Sequence, residues 1–321
     1  MPTPAPVTQV TVNRDDPWKD DGNIVLTAGG NYFRVHRSVL SAHSQVFKDM
    51  FDCPHSSDVE REFVELCPVV HLYDAARDVQ IMLKAMYDRS YPKLYYEKMP
   101  ISVVSAFLHL GEKYAIPAFV KEAKAKLCCD TEPTSITSAA FATLPLASKL
   151  FPGICDGDPH NFQVLNLLQE MGMKAPLPLA MYQCFATCPL EIIADGYQFM
   201  GSTCSLSSAN LRSSIRMKDV LENYRVRLAK TLSRSPNCMV PGCTHNIHRL
   251  WSEEINVVPP FCYWRSQWDN LFCKSCISGL KTRRDAEMDR AWNQIPPAFG
   301  FGSWAEVKKS GDFPSLKIRL G

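Results

Sequence analysis

The sequence predicts an α+β domain followed by an all-α region, on three observations. Two short apolar segments, 24–26 and 33–35, flank a Gly29-Gly30-Asn31 turn. This pattern indicates a β-hairpin, because such turn residues accept positive φ at little cost. Apolar residues then recur at three- and four-residue spacing, which is typical of amphipathic helices. After residue 129 the spacing is helical only, so the second half of the chain is predicted to be helical.

The segment FRVHRSVLSAHSQVFKDMF (33–51) predicts the second strand and a following pair of short helices. Ser38 is predicted to cap the first helix, because its hydroxyl can accept a hydrogen bond from a free backbone N–H. One face of this helix pair is expected to pack into the domain core. The residues of that face are Val39, Leu40, His43, Val46, Phe47, Met50 and Phe51.

Two histidines in this segment, His36 and His43, raise the question of catalysis or metal binding. Neither has a nucleophile, a base and an orienting carboxylate in a suitable arrangement. We interpret His36 as a structural residue that closes the second strand onto the first helix. Asp21 is expected to provide a hydrogen-bond partner for His36 or for Arg37.

The rest of the first domain is predicted as a strand, a helix, a connector and two helices. VVHLYD (69–74) is the strand, Asp78 lies near the N terminus of the next helix, and YPKLYYEKMP (91–100) is the connector. Ser102 is predicted to cap the following helix, and Pro117 fits the first turn of the last one. The predicted buried positions are Val79, Met82, Leu83, Met86, Tyr87, Val103, Phe107, Leu110, Tyr114, Val120, Ala123 and Leu127.

The second half of the chain is predicted to contain several helices. One spans 161–171, a second is opened by Pro178, and a Ser-rich loop at 201–214 leads into a third. The third helix is expected to bury an apolar stripe formed by Leu211, Ile215, Leu221, Tyr224, Leu228 and Leu232.

The order of elements over residues 20–129 resembles the BTB/POZ domain. The motifs that carry the resemblance are Asp21 before Ile24-Val25-Leu26, then FRVHRSVL (33–40), SQVF (44–47), Met50-Phe51, Leu108-Gly111-Tyr114 and Pro117. The whole chain also looks like the BTB proteins that are numerous in mushroom-forming fungi, in which a helical region and a cysteine-bearing tail follow the domain.

The resemblance implies a small three-stranded sheet capped by helices and a function in protein–protein binding. Family members commonly form homodimers through the first helix and neighbouring elements, and many connect a cullin scaffold to a ubiquitylation target. This chain has no kelch repeats, no MATH-like domain and no tandem C2H2 fingers. We therefore expect a self-associating scaffold or adaptor that binds proteins, with a cullin as one candidate partner, and no enzymatic activity.

Four segments are predicted along the chain. They are a flexible tail at 1–17, the BTB/POZ domain at 18–130, an α-helical region at 131–235 and a Cys- and Trp-rich helical module at 236–321.

A metal site is predicted in the last segment. Cys238 and Cys243 form a C-x4-C pair, and Cys273 and Cys276 form a C-x2-C pair at a helix start. Such pairs aim two thiolates at one tetrahedral ion, so structural zinc is the expected cofactor. The alternative is four buried thiols that pack as small hydrophobes. One ligand position has three alternates, His245, His248 and Cys262.

Charge argues against a dedicated nucleic-acid binder, because 35 Lys and Arg residues nearly balance 33 Asp and Glu residues. The alternative function is a transcriptional regulator that binds nucleic acid through the C-terminal module and a basic helix around Arg212, Arg216, Lys218, Arg225 and Arg227.

Five of the six tryptophans follow residue 250, and Arg283 and Arg284 lie among them in the sequence. Stacking of nucleic-acid bases is one interpretation of these residues. We favour a compact aromatic core, which comprises Trp251, Trp264, Trp268, Trp292 and Trp304.

The chain is expected in the cytoplasm or the nucleus. Its first residues lack the basic region and apolar core of a secretory signal, and no apolar run has the length of a membrane span. The 13 cysteines are an odd number, and we interpret them as reduced thiols and metal ligands rather than as a disulfide framework.

Overall fold

The structure is a computed structural model, in which the chain forms two compact units, Met1–Lys126 and Leu127–Gly321. The described residues are 12–53, 62–88, 91, 98–127, 151, 153–159, 161–233, 238, 240, 242–251 and 264–310. The predicted connector at 91–100 lies largely outside them.

The described part of the first unit contains a mixed sheet and helices, as the predicted fold class requires. The strands are β1 (Asn13–Arg14), β2 (Ile24–Ala28), β3 (Asn31–Val35), β4 (Phe63–Val64) and β5 (Cys67–Leu72). The helices are α1 (Arg37–His43), α2 (Gln45–Asp52), α3 (Ala76–Tyr87), α4 (Ile101–Lys113) and α5 (Pro117–Lys126).

The sheet has the strand order β1-β3-β2-β5-β4. β2 and β3 form the predicted antiparallel hairpin through Gly29 and Gly30, whose φ angles of 52° and 82° are those of a tight two-residue turn. β5 pairs in parallel with β2. The sheet therefore has five strands instead of the three predicted, because β1 and β4 add two residues each at its edges.

The core lies on both faces of the central strand β2, whose five residues are all buried. Side chains alternate along a strand, so Val25 points to one face, where it packs with Val64 and Cys67. Ile24 and Leu26 point to the other. The largest buried side chains of this unit include Phe33, Leu40, Phe47, Met82, Leu83 and Phe107.

Two predicted helix caps are wrong. Ser38 already lies inside α1, and the residue that caps α2 is Ser44, whose Oγ accepts a hydrogen bond from the Phe47 N–H at 3.1 Å. Ser44 occupies this position because the chain is extended there, between the two helices. Ser102 likewise lies inside α4, which Pro100 precedes.

His36 has the structural environment that the sequence indicates. Its Nε2 lies 3.2 Å from Oδ1 of Asp21, the predicted partner. The Tyr87 hydroxyl accepts a hydrogen bond from the His36 backbone N–H at 2.7 Å and lies 2.8 Å from His36 Nδ1. His43 is exposed on α1. The contacts of His36 with Tyr87 therefore tie the end of β3 to α3, which is a structural role.

The described part of the second unit is helical apart from one short hairpin. Its helices are α6 (Phe162–Glu170), α7 (Leu177–Thr187), α8 (Leu190–Asp195), α9 (Ser208–Ser233), α10 (Cys243–Arg249), α11 (Lys274–Trp292), α12 (Ile295–Ala298) and α13 (Trp304–Lys309), with a 3₁₀ helix at Ser266–Leu271. The hairpin, β6 (Tyr197–Phe199) and β7 (Ser202–Cys204), lies partly where the sequence indicates a loop.

α9 buries the C-terminal part of its predicted stripe, but the N-terminal part of the prediction is wrong. Leu211 is half-buried and Ile215 is exposed, whereas Asn210 and Ser214 are buried. Asn210 Nδ2 donates a hydrogen bond to Asn166 Oδ1 at 3.0 Å. A polar contact with α6 therefore occupies the buried face where the sequence pattern indicates apolar residues. None of the helices among the described residues combines the length and the hydrophobicity that crossing a bilayer requires.

Candidate metal centre

The four cysteines predicted as ligands come from two segments of the second unit. Cys238 precedes α10, and Cys243 is the first residue of α10 after Gly242, whose φ is 96°. Cys273 is the N-cap residue of α11, and Cys276 lies in the first turn of that helix. The predicted position of the second pair at a helix start is confirmed.

The sulfur atoms of these four cysteines lie close together. Every pair of Sγ atoms is within 4.8 Å, and those of Cys238 and Cys273 are 3.7 Å apart. Four thiolates at about 2.3 Å from a tetrahedral ion would be roughly 3.8 Å from one another. The cluster therefore fits a tetrathiolate metal centre with only small adjustments, and it can hold a metal.

Burial and hydrogen bonding make the thiols of this cluster unequal. Cys243 and Cys276 are buried, and Cys238 and Cys273 are half-buried. A hydrogen bond from the backbone N–H of Cys276 lowers the pKa of Cys273 to about 7, whereas burial raises the pKa of Cys276 to about 12. Because metal ligands must be thiolates, a bound cation would take the place of the remaining protons.

Two of the three alternate ligands, His245 and His248, do not join this group. His245 and His248 are exposed on α10, and Cys262 lies outside the described residues. One residue that the sequence analysis missed is Asn246, whose Nδ2 donates a hydrogen bond to the Leu271 carbonyl at 2.6 Å. This bond links α10 to the 3₁₀ helix just before Cys273, and so holds the two cysteine pairs near each other.

The tryptophans of this unit are mainly core residues, as we interpret them from the sequence. Trp268, Trp292 and Trp304 are buried. The rings of Trp292 and Trp304 stack with centroids 4.6 Å apart, and Trp304 Nε1 donates a hydrogen bond to the Trp292 carbonyl at 3.0 Å. Trp251 and Trp264 are half-buried. The three buried rings are consequently inaccessible to nucleic-acid bases.

The basic residues of α9 do not form one exposed surface. Arg212 and Arg216 are exposed, and Lys218 and Arg225 are half-buried. Arg227 Nε lies 3.5 Å from Glu287 Oε2 on α11. Part of the predicted basic surface therefore takes part in packing within the unit, which weakens the case for nucleic-acid binding through α9.

The first unit, with its mixed sheet and helices, is a small α+β domain. Residues 19–131, about a third of the chain, match the family model of the BTB/POZ domain, so this segment is a BTB/POZ domain. A comparison with curated proteins gives no match. BTB/POZ domains are generally protein-interaction modules, and the domain supports a general role of the chain in protein–protein interaction.

Proposed function

We propose that the protein is a self-associating scaffold or adaptor whose BTB/POZ domain forms a homodimer and recruits a protein partner. The observation that carries this proposal is the match of residues 19–131 to a domain family that often dimerises. Exposed apolar residues of the first unit support it.

One exposed apolar site lies at the edge of the sheet. Phe63 of the edge strand β4 is 57% exposed, and Leu66 in the β4–β5 turn is 95% exposed. Leu66 and Glu65 both have positive φ, which an ordinary side chain adopts only at a cost. Arg34 holds the turn through an ion pair with Glu65 at 3.0 Å. A fixed, strained turn that presents leucine to solvent is a reasonable contact point for a second copy.

The mass of the full chain in solution tests self-association. We expect a dimer by size-exclusion chromatography with light scattering at micromolar concentration. The double change Phe63→Ser and Leu66→Asn should weaken the dimer about tenfold, because buried apolar anchors dominate interface energies. Tyr73→Ser, at another residue that is 95% exposed, is the matched control. A monomer at every concentration would refute self-association, and an unchanged dimer in the double variant would refute the role of this edge.

A more specific function that we propose is that the adaptor delivers a target protein to a cullin ubiquitin ligase. Affinity purification of the full chain from its native cell, followed by mass spectrometry, should then recover a cullin together with other proteins. Recovery of specific partners without any cullin would leave the adaptor function intact and would exclude this form of it.

We also infer that the cysteine cluster holds a structural Zn²⁺. Thiolates are soft ligands that favour zinc over calcium or magnesium, and four of them close the tetrahedral shell. Metal analysis of protein purified without chelator should give about one zinc per chain. Cys276→Ser should lower this content, whereas Cys53→Ser, at an exposed free cysteine, should not. Less than half an equivalent in the unaltered chain would overturn the inference.

The same thiol chemistry supports a location in the cytoplasm or the nucleus. None of the ten cysteines that the structure describes forms a disulfide bond, and reduced thiols persist in reducing compartments. Imaging of a tagged full-length chain tests this location, and an exclusively secreted product would contradict it.

A further inference from the structure

The four thiols of the cysteine cluster differ in how far solvent reaches them. Cys243 and Cys276 are only 4% and 2% exposed, whereas Cys238 and Cys273 are half-buried. One cysteine from each of the two pairs therefore forms the solvent side of the cluster. A small solute that approaches the cluster meets the sulfur atoms of Cys238 and Cys273 first.

These two sulfur atoms also lie close to each other. Sγ of Cys238 is 3.7 Å from Sγ of Cys273, and the Val240 backbone N–H donates a hydrogen bond to Sγ of Cys238 at 3.4 Å. Cys273 is fixed as the N-cap residue of α11. Since the sulfur atoms of a disulfide bond are about 2.05 Å apart, a bond between these two cysteines requires an approach of roughly 1.7 Å.

A bound zinc ion would leave these two sulfur atoms able to react with an oxidant. Each ligand of the ion is a thiolate, and the thiolate is the form of cysteine that oxidants attack. Zn²⁺ itself has no redox chemistry, so the electrons for the reaction come from sulfur alone. Access to the sulfur atoms then decides which ligands are oxidised.

We propose that Cys238 and Cys273 form an oxidation-sensitive site at which hydrogen peroxide releases the metal ion. This inference rests on the zinc site proposed above. One thiolate of the pair attacks a peroxide oxygen, the O–O bond breaks, and a sulfenic acid and a hydroxide ion form. The second thiolate attacks the sulfenic sulfur, which forms the disulfide bond and displaces a second hydroxide ion. The two sulfur atoms lose two electrons, the peroxide gains them, and two protons from solvent convert the hydroxide ions to water.

Oxidation would leave the ion with two of its four ligands, Cys243 and Cys276. Because two thiolates do not close a tetrahedral shell, the ion dissociates and the two buried sulfur atoms take up protons. The new disulfide bond joins the same two segments that the ion joins. Loss of the metal therefore does not separate the start of α10 from the start of α11, and one covalent cross-link replaces the metal.

Zinc release and disulfide mapping on the full, zinc-containing chain test the proposal. Excess hydrogen peroxide should release about one zinc per chain to a chromogenic chelator. Mass spectrometry of an unreduced digest should find Cys238 joined to Cys273, and dithiothreitol should reverse both changes. Zinc that stays bound, or a disulfide that joins Cys273 to Cys276 instead, would overturn the proposal and leave the zinc site standing. A chain purified without zinc would contradict the zinc site, and disulfide mapping would then decide this inference by itself.

Two variants and one labelling experiment connect the response to this pair. In Cys238→Ser the sulfenic acid of Cys273 lacks its partner thiol, so dimedone should label Cys273 more strongly than in the unaltered chain. Cys53→Ser removes an exposed cysteine of the first unit and should leave the disulfide unchanged. Alkylation of the unaltered, metal-free chain does not depend on a variant that folds. Cys238 and Cys273 should react at least about tenfold faster than Cys243 and Cys276, and equal rates would overturn the assignment of the pair.

Discussion

Replacement of Ser44 with alanine removes two hydrogen bonds from the core of the first unit. Ser44 Oγ accepts from the Phe47 N–H at 3.1 Å and donates to the Tyr114 carbonyl at 2.5 Å. The first bond caps α2, and the second joins it to the residue that follows α4. Because Ser44 is buried, water does not replace either partner without rearrangement.

The expected loss of stability follows from these two hydrogen bonds. Loss of an N-cap hydroxyl typically costs about 0.5–2 kcal/mol. A buried carbonyl that loses its donor adds about 1–3 kcal/mol. Ser44→Ala is therefore expected to lower the free energy of opening of α2 by about 2–4 kcal/mol.

Amide hydrogen exchange of the full chain measures this local free energy without requiring the two units to unfold together. Peptides that cover α2 should exchange at least about 30-fold faster in Ser44→Ala, since each 1.4 kcal/mol corresponds to a factor of ten. Ser38→Ala is the control, because Ser38 is exposed inside α1 and caps no helix. Equal exchange rates in the two variants would show that the capping geometry does not stabilise α2.

Three other changes test packing and hydrogen bonding. Gly111→Ala should destabilise the chain by about 1–2 kcal/mol, because a new Cβ would lie 2.9 Å from Val120 Cγ2. Gly279→Ala meets no atom within 4 Å inside α11 and should stabilise it by about 0.5–1 kcal/mol; urea titrations compare the two, and equal effects would contradict the packing argument. Tyr87→Phe removes the acceptor of the His36 N–H and should cost about 1–2 kcal/mol. Faster exchange at the end of β3 would show this loss, and unchanged exchange would refute it.

The sequence predicts most of the first unit because its signals are local. Gly29 and Gly30 supply the positive φ of the hairpin turn, and helical spacing identifies the helices that follow. Caps are harder to assign, because Ser38 and Ser44 both precede apolar runs and only the path of the chain decides which one is extended. Strands of two residues, such as β1 and β4, are too short to show alternation.

The second unit is less predictable because its buried positions are not all apolar. The burial of Asn210 depends on its hydrogen bond with Asn166, which lies 44 residues away in the sequence. Local residue spacing cannot predict a contact between such distant residues. The β6–β7 hairpin turns at Met200 and Gly201, and methionine is not a residue that signals a turn with positive φ. The sequence likewise does not predict the burial of Arg284, because arginine is usually found at the surface.

Cysteine spacing predicts only part of the metal centre. Each cysteine pair can be recognised in the sequence by its short spacing. However, 29 residues separate Cys243 from Cys273, so spacing alone does not establish that the two pairs lie close together. The structure brings them together through the bond from Asn246 to the Leu271 carbonyl and through buried Trp268 in the 3₁₀ helix between them. An ion that joins the pairs closes this long loop and favours the same packing. Metal binding and burial of Trp268 should therefore stabilise each other, as expected of a structural site rather than a catalytic one.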